Sequence, residues 1–377
     1  MCYTIFREKI KIILVCFYRE GLEMHRTDER DTMFARAHYT PGSEAYEDYY
    51  KRFPEKKNID DSMRHRPDLC QEGTMTYNEI NSPMAASAFM FMRDILPLCE
   101  GEVAPEKVEV DSTTMAKRIK GFAKHYGAVT VGITELKDYH IYTHRGRIES
   151  DYGKEVHLDH KYAIVFGCEL DTEMVNRSPM ICEVIETSKS YVDAAIIGMI
   201  LSYYIRSLGY EARNHMDKNY LVMPTLIAKD AGIGDIGRNS ILTNKDYGSR
   251  LKLGVVTTNM PLDIDEYKDF GLEDFCNVCK KCAHNCPSHS LTVGPKFDEL
   301  GQYRWEVDRE TCYTKWRYLG TDCGMCISAC PFSQNLETIK NAETFKGNEE
   351  LINKALDEFK KKFGKRVFVP GNPSWLR

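Results

Sequence analysis

The sequence lacks an apolar run long enough to cross a membrane and has no excess of positive charge. Its longest apolar stretch, Ala194 to Tyr204, is much shorter than the ~20 residues that a spanning helix needs, so we expect a buried core helix there. Lysine and arginine number 51 against 56 aspartate and glutamate residues, a net charge of −5. This balance does not give the excess of basic residues that is typical of nucleic-acid-binding proteins. We therefore expect a small-molecule partner and no nucleic-acid partner.

Export signals are also missing from the sequence. The apolar run Ile12 to Tyr18 follows basic residues, but it is short for a signal peptide and lacks a small-residue cleavage site. No twin-arginine motif is present. We therefore expect a cytoplasmic protein as the sequence stands, with Met24 as an alternative start.

The composition is that of an ordinary globular protein, with 42% hydrophobic and 28% charged residues. A chain of 377 residues can hold two or three units with their own cores. Changes in composition and periodicity divide the sequence into four segments. They are a loop-rich segment wrapping the core (1–110), an α/β core (111–270), a cysteine-rich unit (271–340) and a C-terminal helix and tail (341–377).

Hydrophobic periodicity places regular elements in the middle segment. Ser112 or Thr113 can cap a helix that Gly127 ends, and a second, strongly apolar helix ends at Gly209. Short β-branched runs predict strands. The predicted strands are 128–134, 162–166 and 251–258, and the predicted helices are 190–208 and, in the tail, 341–362.

Cysteines are the most uneven feature of the chain. Eight of the fourteen lie between Cys276 and Cys330, and the other six are scattered singly, as expected of buried or idle thiols. Because the crowded segment shows little hydrophobic periodicity, we expect metal clusters rather than a normal core to hold it together.

The spacing of these eight cysteines is typical of bacterial ferredoxins. The run C-x2-C-x2-C-x3-C-P is followed by a second run that departs from it, C-x2-C-x3-C-P, with one cysteine eleven residues upstream. In two-cluster ferredoxins the fourth cysteine of a run ligates the other cluster. This predicts two [4Fe–4S] clusters, one bound by Cys276, Cys279, Cys282 and Cys330 and the other by Cys286, Cys312, Cys323 and Cys326.

Zinc is the main rival, because C-x2-C pairs also build four-cysteine zinc sites. Two interleaved runs that each end in Cys-Pro favour iron–sulfur clusters. A disulfide framework fits less well, because the chain is long and shows no secretion signal.

Gly232, Gly234 and Gly237 match the dinucleotide motif G-x-G-x-x-G in the wrong context. That motif needs a strand before it and a helix opening at the third glycine, whereas a helix-like segment precedes it here. The pattern therefore indicates a tight turn that uses the freedom of glycine at positive φ.

Several stretches, in order and spacing, resemble the corrinoid-dependent reductive dehalogenases over residues 34–335. They are PGSEAYEDYYKRFPEKKNIDD (41–61), YGKEVHLDHKYAIVF (152–166), ETSKSY (186–191), YIRSLGYEAR (204–213), AKDAGIGDIGRNSILTNKDYGSRLKLGVVTTNMPL (228–262) and FCNVCKKCAHNCP (275–287).

The resemblance implies an α+β fold, with a nitroreductase-like α/β core that binds a base-off corrinoid (cobalamin) and a ferredoxin-like domain with two [4Fe–4S] clusters. It implies that the turn from Gly232 to Arg238 lies against the corrinoid. A D-x-H-x-x-G cobalt-ligand motif is begun by Asp138 and His140, but Thr143 replaces its glycine. This near miss fits a corrinoid without a protein ligand on cobalt.

The resemblance also implies the catalytic groups. The catalytic tyrosine falls on Tyr191 and its basic partner on Arg250. A phenol is a poor proton donor unless a cation stabilises its phenolate, and arginine stays charged at any working pH. A further polar residue, in contact with substrate or corrinoid, is expected between residues 214 and 219, with His215 and Asn219 as equal candidates.

By this resemblance the function is reductive removal of halide from an organohalide, with an external low-potential electron donor. Respiratory members work beside a small membrane anchor on the outer face of the membrane, the alternative location if the N-terminus is truncated. Two other functions stay open: an epoxyqueuosine reductase, which shares the cofactors, and a non-catalytic iron–sulfur electron carrier.

Overall fold

The computed structural model describes residues 24–299 and 302–377, so the expectations for residues 1–23 lie outside the described residues. A four-stranded sheet forms the centre of the molecule, and each pair of neighbouring strands is antiparallel. Its strands, in spatial order, are β1 (Thr130–Glu135), β2 (Tyr162–Glu169), β6 (Leu251–Thr258) and β3 (Ala212–His215).

Both faces of this sheet are covered. On β2, Ile164 and Phe166 point into one core while Val165 points into the other, as the alternation of a strand requires. Two helices pack on the first face: α5 (Ser112–His125) and α7 (Ile181–Ser207). The second face carries α8 (Pro224–Asp230) and the segment around Val156. The predicted strand 251–258 is confirmed, whereas β3 was missed because it is short and polar.

The two core helices differ in detail from their predictions. Asp111, rather than Ser112 or Thr113, caps α5 by accepting a hydrogen bond from the backbone N–H of Thr114. Helix α7 begins well before the predicted position 190. Its first turns bury polar side chains such as Glu183 and Ser188, which breaks the apolar stripe that marks a surface helix.

The N-terminal segment contains more helix than the predicted loop-rich wrapping. Its core is aromatic, built by four tyrosines from Tyr39 to Tyr50, and this gives little aliphatic periodicity. Its helices are α1 (Met33–Arg36), α2 (Glu44–Arg52), α3 (Lys57–Arg64) and α4 (Ser82–Asp94).

The expectation that the cysteine-rich unit lacks a core is wrong. Phe275 and Phe332 from this unit pack with Phe345 and Phe359 from the tail, so the two segments share one core. The tail forms two helices because Gly347, at positive φ, precedes the N-cap Asn348 of the second. The helices here are α9 (Leu272–Cys279), α10 (Lys281–His284), α11 (Arg309–Leu319), α12 (Met325–Ser328), α13 (Glu337–Asn341) and α14 (Glu349–Phe363).

The remaining elements are short, and the segment boundaries stay predictions. They are α6 (Thr172–Val175), the hairpin β4 (Asp235–Ile236) and β5 (Leu242–Thr243), and the hairpin β7 (Phe297–Glu299) and β8 (Gln302–Arg304). Within the described part of the chain, no helix has the length and apolar character needed to span a membrane.

Candidate functional site

One cavity is lined by the sulfur-bearing residues predicted for the first cluster. We call these the first cysteine set: Cys276, Cys279, Cys282 and Cys330. Between α9 and α10 the backbone turns at Lys280, which has a φ of +52°. This turn directs thiols from two successive helices into one cavity, and Cys330 closes it from the segment before Pro331.

The second cysteine set consists of Cys286, Cys312, Cys323 and Cys326, which influence one another's ionisation. Burial, then Cys323 and Cys286, raise the pKa of Cys312 to about 12. The pKa of Cys326 is raised well above its ordinary value by burial and by the other members of the set together with Cys282. The structure thus brings both predicted sets together, and the assignment of individual ligands stays a prediction.

These thiols suit clusters whose binding displaces protons. Burial raises the pKa of Cys276 to about 12, so the thiol holds its proton in the absence of iron. Thiolate is the ligand form, so iron must replace that proton. Cluster assembly is therefore expected to release protons and to depend on pH.

Tyr191 lies in the middle of α7 and, like Lys252 on β6, is partly buried. The ammonium nitrogen of Lys252 lies 3.6 Å from the centroid of its ring. We call Tyr191, Lys252 and the charged groups that act on the tyrosine the Tyr191 site. Lysine over an aromatic face is attracted by the ring quadrupole.

Other charged groups face the same tyrosine. Burial raises the pKa of Tyr191 and the carboxylates of Asp217 and Asp322 add to the rise, whereas the guanidinium of Arg147 opposes it. Arg147 forms an ion pair with Asp217, with 3.0 Å between nitrogen and oxygen. The phenol therefore keeps its proton strongly, and two cations stand near the place where a phenolate would form.

Arg250, the predicted partner of Tyr191, makes several contacts that hold the fold. It is buried and pairs with Glu169 at 2.6 Å, and it donates to the carbonyl oxygens of Leu170 and Ser333. These contacts tie β2 to the chain after Cys330. Lys252 is the cation that lies over the Tyr191 ring, and the catalytic assignment of Arg250 stays a prediction.

His215 and Asn219, the two candidates for a further pocket residue, are both engaged elsewhere. The His215 ring bonds to the hydroxyl of Thr257 at 2.8 Å and accepts the backbone N–H of Leu221, which makes it part of the sheet. Asn219 accepts hydrogen bonds from Arg145 and Arg213 at a separate cavity of about 330 Å³. Between residues 214 and 219, Asp217 is the residue that acts on Tyr191.

The end of the glycine turn lies beside the first cysteine set, and its expected contact with a corrinoid stays a prediction. Gly237 and Arg238 line that cavity, and Arg238 donates to the carbonyl oxygen of Cys276 at 3.0 Å. Gly232 has a φ of +71°, and a side chain there would lie 2.4 Å from the carbonyl oxygen of Glu266. At Gly234, a side chain would meet the backbone of β5.

His140, the histidine of the incomplete cobalt-ligand motif, is fully buried. One ring nitrogen accepts the backbone N–H of Lys137 and the other lies 3.2 Å from a carboxylate oxygen of Asp230. Both nitrogens are therefore engaged within the protein, and the expectation that cobalt has no protein ligand stays a prediction.

The sequence analysis did not identify four residues of the Tyr191 site: Arg147, Asp217, Lys252 and Asp322. Lys252 carried a signal, because it is the one charged residue in the apolar strand LKLGVVTT. A buried lysine needs a reason, and an active site is a frequent one. The other three lie on irregular segments, where side-chain direction does not follow from periodicity.

Comparisons with known proteins agree with this description. Residues 275–334 match the family model described as a 4Fe-4S dicluster domain, which confirms the predicted two [4Fe–4S] clusters. The chain is 28% identical over 258 residues to a tetrachloroethene reductive dehalogenase of Sulfurospirillum multivorans, covering 59% of this chain and 51% of that protein. It is 30% identical over 199 residues to one of Desulfitobacterium hafniense, covering 50% of this chain and 36% of that protein.

A solved structure shares the fold. A reductive dehalogenase structure, described as suggesting a mechanism for B12-dependent dehalogenation, matches with a TM-score of 0.73 and 24% identity. The match covers 91% of this chain and 47% of that one. The predicted α+β fold class is thereby confirmed, and this chain spans about half the length of the relatives that it matches or less.

Proposed function

We propose that this chain, whose sequence and fold relate it to the reductive dehalogenase family, reductively removes halide from a halogenated organic molecule. The observation that carries the proposal is the Lys252–Tyr191 pair, with 3.6 Å between ammonium and ring centroid, close to Asp322 of the cysteine-rich unit. A phenol held beside a buried cation is suited to protonate carbon. An iron–sulfur carrier without catalysis has no need of such a pair.

We infer that the Tyr191 site holds the corrinoid. Burial raises the pKa of Tyr220, and Tyr191 and Tyr142 add to the rise. All three side chains are partly accessible. Aromatic walls with a few charged groups are typical of cofactor pockets. When bound there, the corrinoid would supply a reduced cobalt able to bond to halogen or carbon or to transfer an electron.

The order of the two clusters follows from their neighbours. Cys323 of the second set adjoins Asp322, which acts on both Tyr191 and Lys252. A side chain added at Gly324 would lie 2.3 Å from the carboxylate carbon of Glu183 on α7, the helix that carries Tyr191. We therefore infer that the second cluster delivers electrons to the Tyr191 site, and that an external low-potential donor reduces the first cluster.

Tyr191 acts in this proposal as the proton donor to the product carbon. Its raised pKa makes the phenol hold its proton until a carbanion or radical anion demands it. Lys252 over the ring and Arg147 near it stabilise the phenolate that remains. Asp217 fixes Arg147 through their ion pair.

The test is a halide-release screen on anaerobically reconstituted protein, loaded with clusters and cobalamin. Chlorinated and brominated alkenes, alkanes and phenols are offered with reduced methyl viologen as the reductant. We expect halide release from at least one class, dependent on cobalamin, and corrinoid bands beside the cluster absorption. Cobalamin bands with no halide from any class would contradict the proposal.

A further inference from the structure

A group of lysines surrounds the first cysteine set. The segment 354–366 carries six basic and two acidic residues, although the whole chain has a net charge of −5. Part of this segment converges with the turn between α9 and α10. We call the resulting surface the lysine patch, and it consists of Lys280, Lys281, Lys360, Lys361 and Lys365.

Contacts hold this patch against the cysteines. Lys280 lines the cavity of the first cysteine set. The ammonium of Lys281 lies 4.5 Å from the ring centroid of Phe359, which precedes Lys360 on α14. Lys281 opens α10 and stands between Cys279 and Cys282 in the sequence.

The other end of the patch is fixed by α10. The side-chain amide of Asn285 donates to the carbonyl oxygen of Lys365 at 3.5 Å. The side chains of Lys360, Lys361 and Lys365 are exposed to solvent. Exposed positive charge therefore lies at the end of α14, which packs against α10 and the residue after it.

Most nearby acidic groups are engaged in other contacts. Glu358 pairs with Lys362 at 2.6 Å and accepts the backbone N–H groups of Glu337 and Thr338. Asp274 accepts the N–H of Gly347. Asp357 is the acid of α14 that stays exposed beside the patch. The patch thus keeps a net positive charge.

We propose that the lysine patch is the docking surface for an acidic electron-carrier protein that reduces the first cluster. This rests on the proposed function only in that electrons enter at the first cysteine set. A thiolate-bound cluster is negatively charged and would repel an acidic carrier, unless surrounding cations reverse the local potential. In each encounter one electron leaves the reduced carrier, which is oxidised, and enters the first cluster.

The experiment measures the second-order rate of cluster reduction by stopped-flow absorbance. The probe is a reduced, acidic bacterial two-cluster ferredoxin, and reduced methyl viologen serves as a small reductant that needs no docking. The test variant is Lys360→Gln/Lys361→Gln/Lys365→Gln, and the same positions changed to Arg restore the charge. The matched control removes three exposed cations on α5, as Lys117→Gln/Arg118→Gln/Lys124→Gln.

The Gln variant at the patch should lose about tenfold in the ferredoxin rate and most of its dependence on salt. The Arg variant, the α5 control and all methyl viologen rates should stay near those of the wild-type protein. Equal slowing by the α5 control, or an unchanged ferredoxin rate in the Gln variant, would overturn the proposal. Patch-dependent sedimentation with phosphatidylglycerol vesicles, with an unchanged ferredoxin rate, would assign the patch to a membrane surface instead.

These outcomes are separate from the test of the proposed function. Cluster reduction is read without an organohalide, so a failed halide screen leaves the docking result intact. A failed docking result leaves halide release with methyl viologen intact.

Discussion

At the scale of single residues, the proposed proton transfer depends on which cation serves Tyr191. The family resemblance favours Arg250, whereas the contact with the ring favours Lys252. Lys252, Gly254 and Val256 share the face of β6 that looks at α7, whereas Arg250 precedes the strand and anchors Ser333. Side chains alternate between the two faces along a strand. If α7 is known to cross one face of β6, this alternation places Lys252 against the helix.

Changing Lys252 should affect chemistry more than folding. Lys252→Met removes the charge but keeps the apolar stem, so we expect halide release to fall about 100-fold with little loss of thermal stability. Lys252→Arg should retain part of the activity because it keeps the cation. Arg250→Met serves as the comparison and should lower the unfolding temperature, since it breaks buried contacts to Leu170 and Ser333. Full activity of Lys252→Met would contradict the assignment.

Glu29 should make stability depend on pH. Burial raises the pKa of this carboxyl, although the N–H groups of Gly146 and Arg147 and two nearby arginines oppose the rise. A carboxyl with a raised folded-state pKa binds a proton more tightly when folded. The free energy of unfolding should then fall as pH rises from about 4.5 to the raised value.

Urea unfolding at several pH values checks this expectation on wild-type protein and on Glu29→Gln. The variant cannot titrate at this position, so its free energy of unfolding should decrease less steeply above pH 4.5. Parallel curves for the two proteins would show that Glu29 does not carry the effect.

At the scale of elements, α7 links the cysteine-rich unit to the Tyr191 site. Its buried Glu183 lies under Gly324, next to Cys323, and Tyr191 lies two turns further along. Burial raises the pKa of Glu183 to about 8, so this part of α7 presents a protonated carboxyl at neutral pH. Sequence periodicity could not place this first part of α7, because its buried positions mix apolar and polar side chains.

Gly324→Ala should damage the second cluster selectively. The residue has a φ of +65°, and a methyl group there would lie 2.3 Å from the carboxylate carbon of Glu183. We expect iron and sulfide per chain to fall by about half, because the first cysteine set is untouched. Gly347→Ala, at an open turn with nothing within 4 Å, is the matched control for loss of a positive-φ glycine. Undiminished iron in Gly324→Ala would show that the contact tolerates the methyl group.

At the scale of the whole molecule, the sequence predicted the chemistry of the cysteines and the fold class, but not how the segments meet. Cysteine spacing is a local property of the sequence, and the two clusters that it predicts are confirmed. The aromatic core shared by Phe275, Phe332 and Phe359 joins residues far apart in sequence, so no local pattern reveals it. The Tyr191 site combines α7, β6 and three irregular segments for the same reason.

The central claim is that Tyr191 donates the proton that follows carbon–halogen cleavage. The measurement is the initial rate of halide release by cluster- and cobalamin-loaded Tyr191→Phe, compared with the wild-type protein on the best substrate of the screen. Equal cobalamin absorbance and equal iron content show that both proteins are loaded. We expect a loss of about 100-fold or more, because phenylalanine keeps the ring under Lys252 and removes only the hydroxyl. Halide release at the wild-type rate would contradict it.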